Sequence, residues 1–456
     1  MATPGQSDPA RYDPELLRRV ILDFRQMQTF AEDPFIITRG EGVYLWDDRG
    51  RRYFDGLSGV FVAGLGHGNR RVIAAIAAQL EQLAFAPPLH GTTPAALEFA
   101  RALLAFAPAP FRDGAVKLLS GGSEATEAAM KLARQYHVQS GHPRKYKIIA
   151  RYGSYHGATM GALSASGGWE RKSVFEPLGT GFLHVHPPDC RACPFGHSLD
   201  ACRARPEALF TCARLVERTI EAEDPDTVAA VIMEPMSVSS AGFTVPPPEF
   251  FHLLREVCNR HQVLLIFDEI ITGFGRLGTP FGADYYGVMP DLLCCGKGLS
   301  GGYAPLAAVL VQPHVYAAFL GRPEERREFH HGHTYGGNPV AAAAGLAALQ
   351  ELQERCLIAH VAALAPHLTA RLQQFAARFP GVRNVRGAGF LQGFDLDPAV
   401  CGPRPGARFE CLARRRGLLA RCGRDFVVFA PPLVTTRAEL DAMLDIAEAC
   451  LDELHR

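Results

Sequence analysis

The chain has 456 residues, 48% of them apolar, enough for two compact domains or one large domain with a smaller companion. Its 47 basic and 47 acidic residues cancel, which excludes a nucleic-acid or membrane-surface binder that works through bulk charge. No apolar run approaches the roughly 18 residues of a membrane span, and the polar, Pro-containing start lacks a signal-peptide core, so the expectation is a soluble cytoplasmic protein.

Residues up to about Phe30 read as an amphipathic lead-in. The run Gly42-Val-Tyr-Leu-Trp-Asp-Asp-Arg-Gly-Arg-Arg-Tyr-Phe54 has two apolar stretches about a charged, Gly-containing turn and predicts a hairpin. From roughly residue 60 to 335, helical patterns alternate with short continuous apolar runs, the pattern of a mostly parallel sheet buried on both faces. From about residue 336 the texture turns to Ala/Leu/Arg-rich helix, with 346–352 and 368–379 as helical windows, and an α+β piece containing 387–394 and 426–433 closes the chain. The expected fold class is α/β, with a large domain over 60–335 and a smaller α+β domain drawn from 1–59 and 336–456. The charge run 321–329 reads as a solvated loop.

Polar, reactive residues recur at the ends of the apolar runs. Ala115-Val-Lys-Leu-Leu119 leads to Ser120-Gly-Gly-Ser123, and Lys147-Ile-Ile-Ala150 to Tyr152-Gly-Ser-Tyr155-His156-Gly157. The run 227–233 ends at Glu234-Pro235, 263–267 at Asp268-Glu269, and 292–295 at Gly296-Lys297. In open α/β sheets ligands bind beyond the carboxyl ends of the strands, so these loops are expected to converge on one site. Cys190, Cys193, Cys202 and Cys212 admit two readings. Cys190-x-x-Cys193 can hold half of a zinc site, but the later spacings do not repeat it, which favours reduced loop thiols.

Only six of the 47 basic residues are lysine, and after Lys172 the sole lysine is Lys297, set between glycines behind an apolar strand. A surface cation there is well served by arginine. An amine that must lose its proton and attack a carbonyl is not, because guanidinium stays protonated. Asp268 ends a wholly apolar strand, where an unpaired carboxylate is costly and a cationic partner is expected. Ser120-Gly-Gly-Ser123 opens a helix whose free N–H groups suit a phosphate at Gly122 and Ser123, although an ordinary helix start reads the same way, and the spacing is not that of a Walker loop. Taken together, a lysine, a buried carboxylate and a phosphate cradle make sense as a pyridoxal-phosphate (PLP) site, with Tyr155 and Ile270 on the two faces of the ring. Tyr155 as plain core and Glu234 as an ordinary strand-end charge remain the alternatives.

The run Leu265-Ile-Phe-Asp-Glu-Ile-Ile-Thr-Gly-Phe-Gly-Arg-Leu-Gly278 through Pro290-Asp-Leu-Leu-Cys-Cys-Gly-Lys297 resembles the signature of class III PLP-dependent aminotransferases. The resemblance extends from about Gly42 to the C-terminal helix and includes Gly122–Glu127, Tyr155-His156-Gly157, Glu234-Pro235 and His333-Thr-Tyr-Gly-Gly-Asn-Pro339. It implies a fold-type I homodimer with its active site at the subunit boundary. Within it, Lys297 is the Schiff-base lysine and proton carrier, Asp268 the partner of the pyridine nitrogen and Tyr155 the stacking ring. His156, Glu234 and Ile270 belong to the cofactor site, Gly122 and Ser123 bind the phosphate, and Thr334 reaches in from the other subunit. His330, His331 and His333 then become active-site loop residues, and no metal is expected.

Two positions separate subfamilies. The 2-oxoglutarate-linked members carry Glu-Pro-Ile-Gln-Gly-Glu; here the run is Glu234-Pro-Met-Ser-Val-Ser239, without the second glutamate. The tail from Gly417 to Leu433 resembles that of the ω-amino acid and amine:pyruvate transaminases, with Arg421 in the place of their mobile, carboxylate-pairing arginine and Arg424 as the neighbouring alternative. Phe61 stands where that subfamily often has a pocket-wall tryptophan, and Leu89 and His90 are candidates for a wall from the partner. The expected reaction is amino transfer from an ω-amino acid or primary amine to pyruvate, through an internal aldimine and pyridoxamine phosphate. The alternatives are 2-oxoglutarate-linked transfer, a PLP-dependent lyase or decarboxylase, and a catalytically silent binding protein.

Overall fold

Four strands with every residue buried fix the centre of the molecule: Val228–Met233, Leu264–Asp268, Leu292–Cys295 and Ala307–Val311. The structure, a computed structural model, describes residues 12–205, 210–239 and 242–456, apart from the side chain of Ser239. With β1 as Ala115–Leu119, β2 as Lys147–Arg151 and β3 as Phe182–Val185, the four central strands become β4 to β7 in the order given. They form a seven-stranded sheet ordered β1-β7-β6-β5-β4-β2-β3. The pairings β6–β5, β5–β4, β4–β2 and β2–β3 are parallel, and only β7 runs against its neighbours β6 and β1.

The period of two along each strand separates two cores. Val231, Met233, Leu265, Phe267, Leu293 and Cys295 join the layer of helix Pro248–Arg260, which contributes Phe250, Phe251, Leu254, Val257 and Cys258. Ala230, Ile232, Leu264, Ile266, Leu292 and Cys294 join the layer of helix Gly122–Gln139. That helix meets the sheet through Ala125, Ala128, Ala129, Leu132 and Ala133, a face of mainly small residues that allows close approach. The molecule is thus an α/β protein with helices on both faces of a mostly parallel sheet, as its runs of unbroken apolar residues require.

The smaller α+β part draws on both ends of the chain. The predicted hairpin is present, Tyr44–Asp47 pairing with Arg52–Asp55, and Leu418–Leu419 adds to it in parallel register. A second sheet joins Val382–Ala388, Leu391–Leu396, Phe426–Phe429 and Arg421–Cys422. Buried Arg276 clamps this part to the large domain, donating to Pro431 O at 2.6 Å and Ser58 Oγ at 3.2 Å. The described part of the amphipathic lead-in is two short helices, Pro14–Arg18 and Met27–Glu32, joined by a segment that leaves Ile21 and Phe24 exposed. Its apolar residues do not close a helical face; Phe24 instead lies against Arg171 of the large domain. No described helix is long and apolar enough to cross a membrane.

Beside Asp268, Glu269 is completely buried, and its carboxyl accepts from Thr272 Oγ1 at 2.6 Å, Gly282 N at 2.6 Å and Ala283 N at 2.7 Å. Burial nevertheless outweighs those donors and pushes its pKa up to about 7. Because the folded state holds this proton more tightly than the unfolded state, the stabilisation is full below the unfolded carboxylate value and is lost as pH rises through about 7. The melting temperature of the Glu269→Gln variant is therefore expected to depend less on pH between 5 and 8 than that of the parent chain. An unchanged slope would mean that Glu269 titrates in the ordinary range.

Candidate active site

The loops after β2, β4, β5 and β6 meet above the carboxyl edge of the sheet, and Asp268 is where they are tied together. It is the last residue of β5 and only 4% exposed. One carboxylate oxygen meets His156 Nδ1 at 2.8 Å and the other accepts from Ile270 N at 3.2 Å. A carboxylate only accepts, so the imidazole carries its hydrogen on Nδ1. Thr126 Oγ1 donates to His156 O at 2.7 Å and His156 N donates to Ser166 Oγ at 2.9 Å, which fixes the ring's backbone on both sides. His156 Nε2 is buried without a partner among the described residues.

Glu234, directly after β4, holds the neighbouring residue. Its Oε1 accepts from Tyr155 N at 3.2 Å, and its Oε2 pairs with Arg151 at 2.9 Å, both side chains being almost wholly buried. Removing either partner would leave a buried charge uncompensated, at a cost of about 3–5 kcal/mol. Glu234 is thus more than a strand-end charge: it sets the height of the Tyr155 loop. The Tyr155 ring is half-buried and lies under the guanidinium of Arg171, whose Cζ is 4.6 Å from the ring centroid.

Helix Gly122–Gln139 begins beside this loop with no side-chain cap. Glu124 turns back to accept from Ser120 N at 2.9 Å and Gly121 N at 3.1 Å, while Ser120 Oγ is buried without a partner among the described residues. Ser123 Oγ accepts from Ala158 N at 3.0 Å. Gly157, at φ 143°, lets the loop come this close, since a Cβ there would lie 2.5 Å from Ser123 Oγ and 2.8 Å from Ser123 Cα. Ile270 fills the gap between this helix start and the turn after β6: a Cβ at Gly122 would sit 3.3 Å from its side chain and one at Gly296 only 2.8 Å.

Lys297 lies in that turn, with a left-handed φ of 44°. The sequence singles it out among few lysines, and the contrast with Lys145 shows what differs. Lys145 is also buried, but its Nζ donates to the carbonyls of Pro225, Val228 and His261. Lys297 Nζ has no such bond among the described residues; it faces the ring of buried Phe61 at 5.7 Å. Desolvation lowers its pKa to about 8, Asp268 and Glu234 oppose that shift, and Arg421 and Arg171 add to it. Phe61 itself holds a left-handed φ of 64°, unusual for a bulky residue and of a kind that clusters at functional sites.

Arg421, half-buried in a two-residue strand paired to Val428, is held below the usual guanidinium range by burial and by Arg171. The alternative, Arg424, is 84% exposed and lies beside Asp425. Thr334, Leu89 and His90 are exposed and outside the cluster within one chain. His331 Nδ1 lies 3.0 Å from Lys131 Nζ, and His333 lies 3.6 Å from Glu124. Cys190 is exposed, Cys193 and Cys212 are half-buried and Cys202 is buried. The described ligand-type side chains that converge in a set of three are Glu217, Glu221 and His261, away from both groups. The side chain of Ser239 lies outside the described residues.

Residues 27–451 match the model of the family described as aminotransferase class-III, and the chain belongs to that family, whose members depend on PLP. It is 36% identical to the β-alanine–pyruvate aminotransferase of Pseudomonas aeruginosa, over 96% of each chain. It is 34% identical to the ω-amino acid–pyruvate aminotransferase of Pseudomonas putida, over 94% of each. Among solved structures, the ω-transaminase of Pseudomonas jessenii in complex with PMP superposes with a TM-score of 0.90, at 32% identity, covering 97% of this chain and 98% of that one.

The residues present fit PLP. An uncapped helix start with a buried, unpartnered serine hydroxyl suits its phosphate, the His156-bound carboxylate of Asp268 suits a protonated ring nitrogen, and an amine of lowered pKa without a hydrogen-bond partner suits its carbonyl. Arg151, Arg171 and Phe24 also reach the site, and the sequence alone does not single them out. Arginine is the common cation of this chain, so nothing in its local pattern marks the two that do so. The Gly157→Ala variant is expected to lose about 2 kcal/mol in denaturant unfolding and to retain PLP less tightly, because Ser123 must move. Parent-like stability and retention would show that the loop shifts at no cost.

Proposed function

We propose that the protein transfers an amino group from an ω-amino acid or a primary amine to pyruvate, as a homodimer. The observation that carries this reading is the buried amine of Lys297, brought to about 8, without a hydrogen-bond partner among the described residues and facing an aromatic wall. PLP, when bound, supplies a carbonyl that exchanges with amines and an electron-poor ring that takes up the charge developed at the substrate's Cα.

The side chains divide the remaining work. Lys297 Nζ holds the cofactor between turnovers and, displaced by the incoming amine, takes the proton from Cα and returns it. With its pKa near 8, about a tenth of the amine is neutral at pH 7, against a few parts in ten thousand for an unperturbed lysine. Asp268, oriented by His156, is the anion that would keep a proton on the ring nitrogen, and Gly122 and Ser123 would hold the phosphate. Arg421 pairs with a substrate carboxylate. Phe61 and Ile270 keep the reacting face apolar, so an uncharged amine has somewhere to lie. The absence of a second glutamate in Glu234-Pro-Met-Ser-Val-Ser239 supports pyruvate over 2-oxoglutarate. Exposed Leu89, Phe85 and Tyr335, at 93%, 40% and 61%, with exposed Thr334, are the surfaces a partner subunit would cover.

The test is spectroscopic. The visible band of the PLP-loaded protein should bleach on adding β-alanine or a primary amine and return on adding pyruvate. Return with 2-oxoglutarate alone would place the protein with the glutamate-linked enzymes, and no bleaching by any amine would end the transaminase reading. Lys297→Ala should lose amino transfer altogether, and Asp268→Asn should bind PLP weakly and lose most of its rate. Arg421→Ala should raise KM for pyruvate at least tenfold while leaving that for an apolar amine within about twofold, tenfold being about 1.4 kcal/mol of a charged hydrogen bond.

A further inference from the structure

Arg171 occupies the short helix Trp169–Lys172, which starts a few residues beyond Ser166, the residue whose hydroxyl accepts from His156 N. Its guanidinium lies over two aromatic rings, with Cζ 4.3 Å from the Phe24 centroid and 4.6 Å from that of Tyr155. Stacking fixes the plane of a guanidinium while leaving its N–H edge free. No carboxylate lies in ion-pair contact with Arg171 or with Arg421 among the described residues; the acid that acts on Arg421 from a distance is Glu410. The mouth of the site thus holds two guanidinium groups without a direct counter-ion. Arg171 lies against Phe24, which is 74% exposed, and so stands at the outer side of the site, remote from the buried amine of Lys297.

The two substrates present carboxylates at different distances from the reacting atom. Pyruvate has its carboxylate on the carbonyl carbon, whereas an ω-amino acid has it one or more carbons beyond the amine-bearing carbon. We propose that Arg171 is a specificity-determining residue that binds the remote carboxylate of the ω-amino acid donor, leaving Arg421 to the α-carboxylate of the acceptor. This rests on the reading of the site as an ω-amino acid transaminase. Phe24 and Tyr155 are then the clamp that holds Arg171 in place, and the lead-in segment contributes to donor selection through Phe24.

The test uses PLP-loaded parent, Arg171→Gln and Arg171→Lys proteins and follows the donor half-reaction alone by loss of the visible band. The donors are β-alanine, 4-aminobutyrate, 6-aminohexanoate and, as the neutral control, hexylamine. Arg171→Gln is expected to raise half-saturation for the longer ω-amino acids about tenfold or more with hexylamine within about twofold, and Arg171→Lys to recover part of the loss. Calorimetric titration with hexanoate, which cannot react, should weaken by a similar factor in Arg171→Gln. Pyruvate half-saturation in the return half-reaction should stay unchanged. Equal losses for hexylamine and the amino acids would reduce Arg171 to a structural role and overturn the proposal, as would parent-like values throughout. Because the donor step is read without an acceptor, failure of pyruvate to restore the band would count against the acceptor assignment and leave the Arg171 result standing.

Discussion

A single hydrogen bond between two buried side chains, His156 Nδ1 to Asp268, organises the carboxyl edge of the sheet. It joins the loop after β2 to the end of β5, and in doing so it sets Tyr155 against Glu234 and Gly157 against Ser123. A buried carboxylate without this donor would lack a partner for one of its oxygens, which is costly. The imidazole therefore does two things at once: it stabilises the anion and fixes its direction. The unpartnered Nε2 on the far side of the ring shows that this arrangement leaves one buried atom unsatisfied among the described residues.

Around that bond the site is built from features whose local energy is unfavourable. Lys297 and Phe61 both sit at positive φ, Lys297 is desolvated, and two guanidinium groups approach without direct counter-ions. The scaffold that holds them is the opposite in character, a sheet covered on both faces whose central strands are almost wholly apolar. Strain of this kind persists only where the surroundings over-determine it. Gly296 and Gly122 show how closely they do so here, since neither position has room for a Cβ without shifting Ile270.

Much of this is legible in the sequence, and the reason differs by residue. Lys297 and Asp268 stand out because residue type is restricted there: a lysine in a chain that prefers arginine, and a carboxylate ending an apolar strand. The α/β fold follows from runs of apolar residues too short for helices and too continuous for half-exposed strands. Arg171 and Arg151 are illegible because their roles depend on what lies across from them, a ring face in one case and a buried glutamate in the other. The lead-in reads as amphipathic, yet its described part forms two short helices, because Phe24 finds its contact on Arg171 and not along a helix of its own. The left-handed conformation of Phe61 is a product of its packing, and no propensity of phenylalanine announces it.

The clamp formed by Arg276 also bears on the order in which the molecule can be built. Its guanidinium is buried among oxygen atoms that lie at opposite ends of the chain, Ser58 Oγ and Pro431 O, and Ser58 Oγ in turn donates to Ala430 O across 372 residues of sequence. Likewise Phe54 N donates to Gly417 O. These are contacts of very high sequence separation, whose loop-closure entropy is met late in folding. During synthesis the hairpin Tyr44–Asp47 and Arg52–Asp55 emerges early but must wait for nearly the whole chain before its sheet is complete. The sheet of β1 to β7 is fully translated before then. The cofactor-binding scaffold can consequently take shape first, and the wall bearing Arg421 is added to it last.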